Sequence, residues 1–123
     1  MKKKRFNQVA VGYFVALLLL MWMPVRTGIP LDNFVFGLRL DHLLHASVYL
    51  PCAYFAGGLL NVSRRRAWLY SLLLGVLTES VQYLLPYRGF DINDMLANAV
   101  GITVGASLCL LPCVARSANF FRK

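Results

Sequence analysis

Acidic residues are scarce in this chain. Of its 123 residues only five are Asp or Glu, and all charged residues together make up 15%. That is well short of the quarter usual in soluble domains, so the composition does not fit an ordinary soluble fold. Cysteine is scarce too. The three present, Cys52, Cys109 and Cys113, are an odd number set in apolar segments, which argues against a disulfide framework. Cys109 and Cys113 share a helical face, but they read as small packing residues rather than a metal pair. No Gly-rich phosphate loop, Ser-His pairing or evident nucleophile occurs. Tandem repeats and low-complexity tracts are absent as well, which leaves one domain spanning residues 1–123.

What the chain has is apolar length. Hydrophobic residues make up 59% of it, concentrated in four stretches at about 6–23, 41–60, 67–85 and 95–114. Each is near the ~20 residues a helix needs to cross a ~30 Å hydrocarbon core. The expected fold class is therefore all-α: a polytopic membrane protein with a four-transmembrane-helix bundle. Alternate connections carry the bases. Lys2, Lys3, Lys4 and Arg5 share one side with Arg64, Arg65, Arg66, Arg116, Arg122 and Lys123, leaving only Arg26, Arg39 and Arg88 opposite. Basic residues in short loops stay cytoplasmic, so both termini are expected inside the cell membrane. The net charge of +8 is thus sorted by topology, and nucleic acid is not an expected partner. Its further effect would be attraction to anionic inner-leaflet lipids. Lys2–Arg5 followed by an apolar run also resembles a signal peptide. The bulky Met21-Trp22-Met23-Pro24 offers no small-x-small cleavage site, so an uncleaved first span is expected.

Spacing within the stretches predicts how they pack. In the second, steps of four connect Asp41, His45, Tyr49, Ala53 and Gly57, a ridge that begins ionisable and ends small. In the fourth, Ala97, Gly101, Gly105, Cys109 and Cys113 form a ridge of small residues. Gly101-x-x-x-Gly105 lets membrane helices approach closely, here within one chain. The third stretch places Ser71 and Gly75 deep and Glu79 toward the outside. The first has only Gly12 and Ala16 as a small pair and should face lipid most.

The acids now acquire a location. Asp32, Asp41, Glu79, Asp91 and Asp94 all fall on the outer side, several of them in or beside apolar segments where an ionisable group is a functional-site candidate. With a rise of ~1.5 Å per residue, His45 and Asn98 lie ~6 Å below the outer boundary and Glu79 lies ~9 Å below it. Gln82 faces the same side as Glu79. The candidate ligand-binding set is Asp41, His45, Glu79, Gln82, Arg88, Asp91, Asp94 and Asn98, in an outward-facing pocket rimmed by residues 86–94. Plainer roles compete: Asp41, Asn93 and Asp94 suit helix N-termini, and His45 suits packing. Arg88 with Asp91 suits an exposed loop pair. Glu79 resists such a reading, because nothing in the middle of a span needs a carboxylate.

Together these residues resemble a family signature. Asp41-x-x-x-His45, Glu79-x-x-Gln82 and Pro86-x-Arg88-x-x-Asp91-x-x-Asp94-x-x-x-Asn98-x-x-Gly101-x-x-x-Gly105 are similar, in order and placement, to the motifs of the VanZ-like family of small bacterial membrane proteins. The resemblance covers residues 41–105. The family commonly has Lys after the first Asp, where this chain has His42. The resemblance implies a place in the bacterial cell envelope and, for the founding member, increased resistance to teicoplanin. It implies no settled mechanism.

Three classes of function stand beside it. The favoured one is a non-enzymatic envelope factor that binds a lipid-linked or anionic cell-surface ligand, with Arg88 meeting a phosphate or carboxylate. The second is a small membrane enzyme acting on a polyprenyl-phosphate or similar lipid. There His45 or Glu79 is the general acid or base, and Asp91 and Asp94 hold a divalent cation. The third is a proton- or ion-coupled carrier, against which stands the lack of an inverted repeat. Outside the enzyme reading no cofactor or metal is expected.

Overall fold

The structure, a computed structural model, describes residues 2–22, 34–35, 38–86 and 92–109, with side chains at 2–22, 40, 42–86 and 92–109. The described residues are helical apart from one minimal strand pair and the turns between helices. Helix α1 spans Lys2–Trp22, α2 Leu40–Tyr49, α3 Cys52–Leu60, α4 Arg64–Leu84 and α5 Ile92–Leu108. Between α1 and α2, β1 (Phe34–Val35) pairs antiparallel with β2 (Leu38–Arg39), Phe34 opposite Arg39 and Val35 opposite Leu38.

The apolar stretch at 41–60, expected as one span, is two helices. Pro51 has no N–H to give to the Ser47 carbonyl four residues back, so the α-helical ladder cannot continue through it. The Leu50 N–H bonds Ser47 instead (3.3 Å), tightening the last turn of α2 before α3 begins. The Tyr13 hydroxyl of α1 donates to the neighbouring Val48 carbonyl (2.6 Å), which ties the break to the first helix. Helix α3 ends at Asn61, whose φ of 54° and ψ of 48° are left-handed, a conformation Asn tolerates at a helix terminus. The N–H groups of Asn61 and Val62 both reach the Gly57 carbonyl. A short turn then leads into α4, which starts at Arg64 and takes the three arginines into its first turn.

The helices pack as one bundle in which α2 lies along α5 and α3 along α4, while α1 touches α3 and α4. The closeness of α2 and α5 comes from glycine. A Cβ at Gly101 would overlap the Ala46 carbonyl, and one at Gly105 would overlap the Leu50 carbonyl. Both obstacles are backbone, which cannot rotate away. Leu17, Met21, Tyr49, Cys52 and Ile102 form the apolar centre. At the other edge, the Trp68 indole N–H donates to the Thr103 hydroxyl (3.1 Å) and joins α4 to α5.

Polarity is inverted relative to a soluble protein. Val9, Val15, Leu19, Leu20, Leu73, Leu77, Leu84, Leu96 and Val100 are exposed, whereas His45, Ser71, Thr78, Glu79, Gln82, Asp94 and Asn98 are buried. An apolar exterior around a polar interior suits hydrocarbon as solvent. Among the described residues, two helical stretches are long and apolar enough to cross a membrane, Lys2–Trp22 and the broken His42–Leu60.

Candidate functional site

Three helices deliver the polar residues. Asp41, His42 and His45 come from the first turns of α2, Glu79 and Gln82 from the last turns of α4, and Asp94 and Asn98 from the first turns of α5. α2 and α5 both enter the bundle at the end where α4 leaves it, so these segments meet there. Spacing selects one face in each case: 42 and 45, 79 and 82, 94 and 98 are i, i+3 or i, i+4 neighbours.

Asn98 is the hub. Its Nδ2 donates to Glu79 Oε1 (3.3 Å), and its Oδ1 lies 2.9 Å from His45 Nδ1. The amide therefore faces its nitrogen toward Glu79 and its oxygen toward His45. His45 Nδ1 must then carry a proton, since Oδ1 cannot donate. That proton also lies near Glu79, with Nδ1 3.5 Å from Oε1. In the neutral ring the lone pair is left on Nε2, which faces Asp94 Oδ2 at 3.9 Å. On its other side Asp94 faces His42, whose Nε2 lies 3.3 Å from Oδ1.

The cluster is dry. Glu79 is 0% exposed, Asn98 1%, His45 2% and Asp94 7%. Such groups are tolerated away from water only when paired, and here each leans on its neighbours. Beneath them, one turn deeper, Thr78 Oγ1 donates to the Gly75 carbonyl (2.9 Å). Thr78 is therefore the acceptor in its short hydrogen bond with the Tyr49 hydroxyl. This pair, with Ile102, closes the floor of the cluster.

The expected set is brought together in part. His45, Glu79, Asp94 and Asn98 form one connected group. Gln82 is buried beside them but turns elsewhere, donating to the Met21 carbonyl in the last turn of α1 (2.7 Å). That carbonyl is among those a helix end leaves without an intrahelical partner. Asp41 starts α2, but its side chain lies outside the described residues, as do Arg88, Asp91 and the rim at 87–91. Two residues absent from the expected set belong to the geometry. His42 stood out in the sequence only as a departure from a family pattern, although its i, i+3 spacing to His45 places both imidazoles on one face. Thr78 gave no signal beyond being next to Glu79.

The family model of VanZ/LLP1 matches residues 10–114, nearly the whole of the helical bundle. The chain belongs to the VanZ/LLP1 family. No curated protein and no solved structure matches it significantly. In VanZ/LLP1 terms, the match takes in the His45–Asn98–Glu79–Asp94 group, the Pro51 break and the Gly101/Gly105 contact.

One further property of the group concerns coordination. His45, Glu79 and Asp94 each offer a ligand atom, and the three atoms lie within 4.8 Å of one another, all on buried side chains. In the enzyme reading a divalent cation is expected on Asp91 and Asp94; Asp91 lies outside the described residues, and Asp94 is grouped with a histidine and a glutamate from two other helices.

Proposed function

We propose that this VanZ/LLP1 family member is a four-span protein of the bacterial cell membrane with both termini cytoplasmic. In this reading the outer end of its bundle binds a lipid-linked or anionic cell-surface ligand. The observation that carries the proposal is the buried His45–Asn98–Glu79–Asp94 group inside an apolar-surfaced bundle. Helix packing alone does not need four buried polar side chains, drawn from three helices and gathered around one histidine, and ionisable groups at such depth mark functional sites.

Charge distribution supports the orientation. The Gln82–Met21 hydrogen bond puts the ends of α1 and α4 side by side, so these two helices run the same way and their basic starts share one end. Arg64 is 15 residues before Glu79, or ~22 Å along α4. The exposed bases therefore mark the cytoplasmic end, and the acidic cluster marks the opposite one. In this reading Arg88, in the connection between α4 and α5, supplies the cation for a phosphate or carboxylate, and Asp41 and Asp91 belong to the same candidate set. A contribution to glycopeptide resistance of the teicoplanin type would be one phenotype of such binding.

The test is native mass spectrometry of lipids that co-purify with wild type and with Glu79→Gln. Gln retains an oxygen to accept from Asn98 while losing the charge, so the fold should persist. Retention of an anionic lipid by wild type alone is the expected result. Identical lipid complements, or none in either protein, would remove the reading.

A second reading is favoured by one detail. The Asn98-directed tautomer leaves His45 Nε2 as a base facing inward, as general acid–base chemistry on an envelope lipid would require. Turnover of a polyprenyl-phosphate by purified protein, lost in His45→Ala, would establish it. Binding without turnover would leave the first reading standing.

A further inference from the structure

We infer that His45, Glu79 and Asp94 are the ligands of a divalent first-row transition-metal ion of the Zn2+ type, held at the meeting point of α2, α4 and α5. The donor atoms already lie within 4.8 Å of one another. Bonds of ~2.1 Å in a tetrahedral site place donors ~3.4 Å apart, so only small side-chain movements are needed. Asp94 Oδ2 lies 3.9 Å from His45 Nε2, the ligating nitrogen, while Glu79 Oε1 lies 3.5 Å from the other ring nitrogen, Nδ1, so the Glu79 carboxylate must turn toward the Nε2 side to bind the ion.

The surroundings are those of a metal-binding histidine. A ligating imidazole characteristically gives its second N–H to a carbonyl or carboxylate, which sets the tautomer and aims the lone pair. Asn98 does this for His45: it receives the Nδ1 proton, and its own amide orientation is set by Glu79. Nε2 is thereby directed at Asp94, and His42 Nε2 lies 3.3 Å from the other oxygen of that carboxylate. The outer partners, Asn98 and His42, thus come from α5 and α2.

Charge and donor type narrow the ion. Two carboxylates with one neutral imidazole balance a dication, which removes net charge from a buried site. Imidazole nitrogen with carboxylate oxygen suits Zn2+, Fe2+ or Mn2+, whereas Mg2+ and Ca2+ favour all-oxygen shells. Three protein ligands leave a coordination position open. At that position an oxygen of a phosphate or carboxylate can bind, which explains how a group containing two acids receives an anion. This last step rests on the ligand-binding reading above; the metal site itself does not.

The experiment uses the full chain, purified in mild detergent with its tag removed, stripped with chelator and then titrated with Zn2+ and with Co2+. Wild type should bind about one ion per chain, as a single coupled site does. Its Co2+ form should show the intense visible bands of a four- or five-coordinate nitrogen/oxygen site. Asp94→Asn and His45→Gln should abolish stoichiometric binding, and Asn98→Ala should weaken it by about 10–100-fold, as loss of an orienting partner does. Helical circular dichroism and monodisperse elution check the variants. If a variant does not fold, the Co2+ spectrum of wild type still decides. Wild type without stoichiometric metal, a Co2+ spectrum of hexaaqua character, or well-folded Asp94→Asn and His45→Gln that bind as wild type does would each overturn the inference. Lipid retention by stripped protein separates the two proposals: metal binding without any lipid keeps this one and removes the other.

Discussion

At the scale of single residues, direction of donation matters more than proximity. Thr78 is committed to the Gly75 carbonyl, so Tyr49 must be the donor of their hydrogen bond. Removing each end then has unequal effects. Tyr49→Phe leaves Thr78 with its own bond intact and should lower stability by about 1 kcal/mol, the usual net worth of one hydrogen bond. Thr78→Val leaves the Tyr49 hydroxyl buried without its acceptor and should cost about 1–3 kcal/mol. Thermal unfolding in detergent should therefore rank Thr78→Val below Tyr49→Phe, and the reverse order would refute the assigned direction. The same logic separates what was readable in the sequence from what was not. Glu79 and Asn98 stand out from sequence because a carboxylate and an amide in apolar stretches need partners. Gln82 stands out for the same reason, yet its partner is a backbone carbonyl of α1, and side-chain type carries no information about backbone ends sixty residues away.

At the scale of elements, three glycines of similar appearance have different duties. Gly101 and Gly105 lie against the backbone carbonyls of Ala46 and Leu50, whereas a Cβ at Gly75 would meet side chains at ordinary distances, Asn98 Cβ and Ile102 Cδ1 at 3.6 Å and Tyr49 Cε1 at 3.9 Å. Gly75→Ala should be neutral or slightly stabilising, since Ala is the better helix former by ~1 kcal/mol. Gly101→Ala and Gly105→Ala must push α2 away from α5 and should each cost about 1–3 kcal/mol or more. Because Ala46 is one residue from His45, they should also disturb the cluster. Unfolding midpoints of the three variants check this, and a Gly105→Ala midpoint equal to wild type would contradict the packing. The small-residue ridge of α5 was legible, because steps of four hold on any straight helix. The division of the second stretch was not, although Pro51 was in plain view, because an unbroken apolar run outweighed one proline. The structure accommodates that proline by re-pairing the Ser47 carbonyl and calling on Tyr13 from α1.

At the scale of the molecule, electrostatics points to the membrane. Arg64, Arg65 and Arg66 occupy the first turn of α4, where the helix dipole disfavours cations by a few tenths of a kcal/mol each. Helix stability does not select that placement; the proposed orientation accounts for it as a topology signal, in line with the lysines that begin α1. Tyr83, at the far end of α4, is 70% exposed and suits a membrane interface. In intact cells a membrane-impermeant thiol reagent should therefore label Tyr83→Cys and spare Arg65→Cys until the membrane is opened. Cys52 and Cys109 are buried and should contribute little background. The opposite labelling would place the cluster in the cytoplasm and end the case for a surface ligand. Overall composition disclosed the apolar, helical character early, since that depends on how residue types are distributed. Which helix lies against which depends on shape, and glycine contacts and one proline decide that here.

The bond from Gln82 to Met21 also has a temporal meaning. Its partners are 61 residues apart in the chain. During synthesis α1 is complete long before α4 has emerged, and its final turn must wait with carbonyls open to lipid headgroups or water. Contacts of such sequence separation form late, after the intervening loop entropy has been overcome. Arrival of α4 closes that helix end and brings Glu79 alongside α2 in the same movement. The first helix to be made is thus among the last to be finished, and its completion coincides with the arrival of the buried acid.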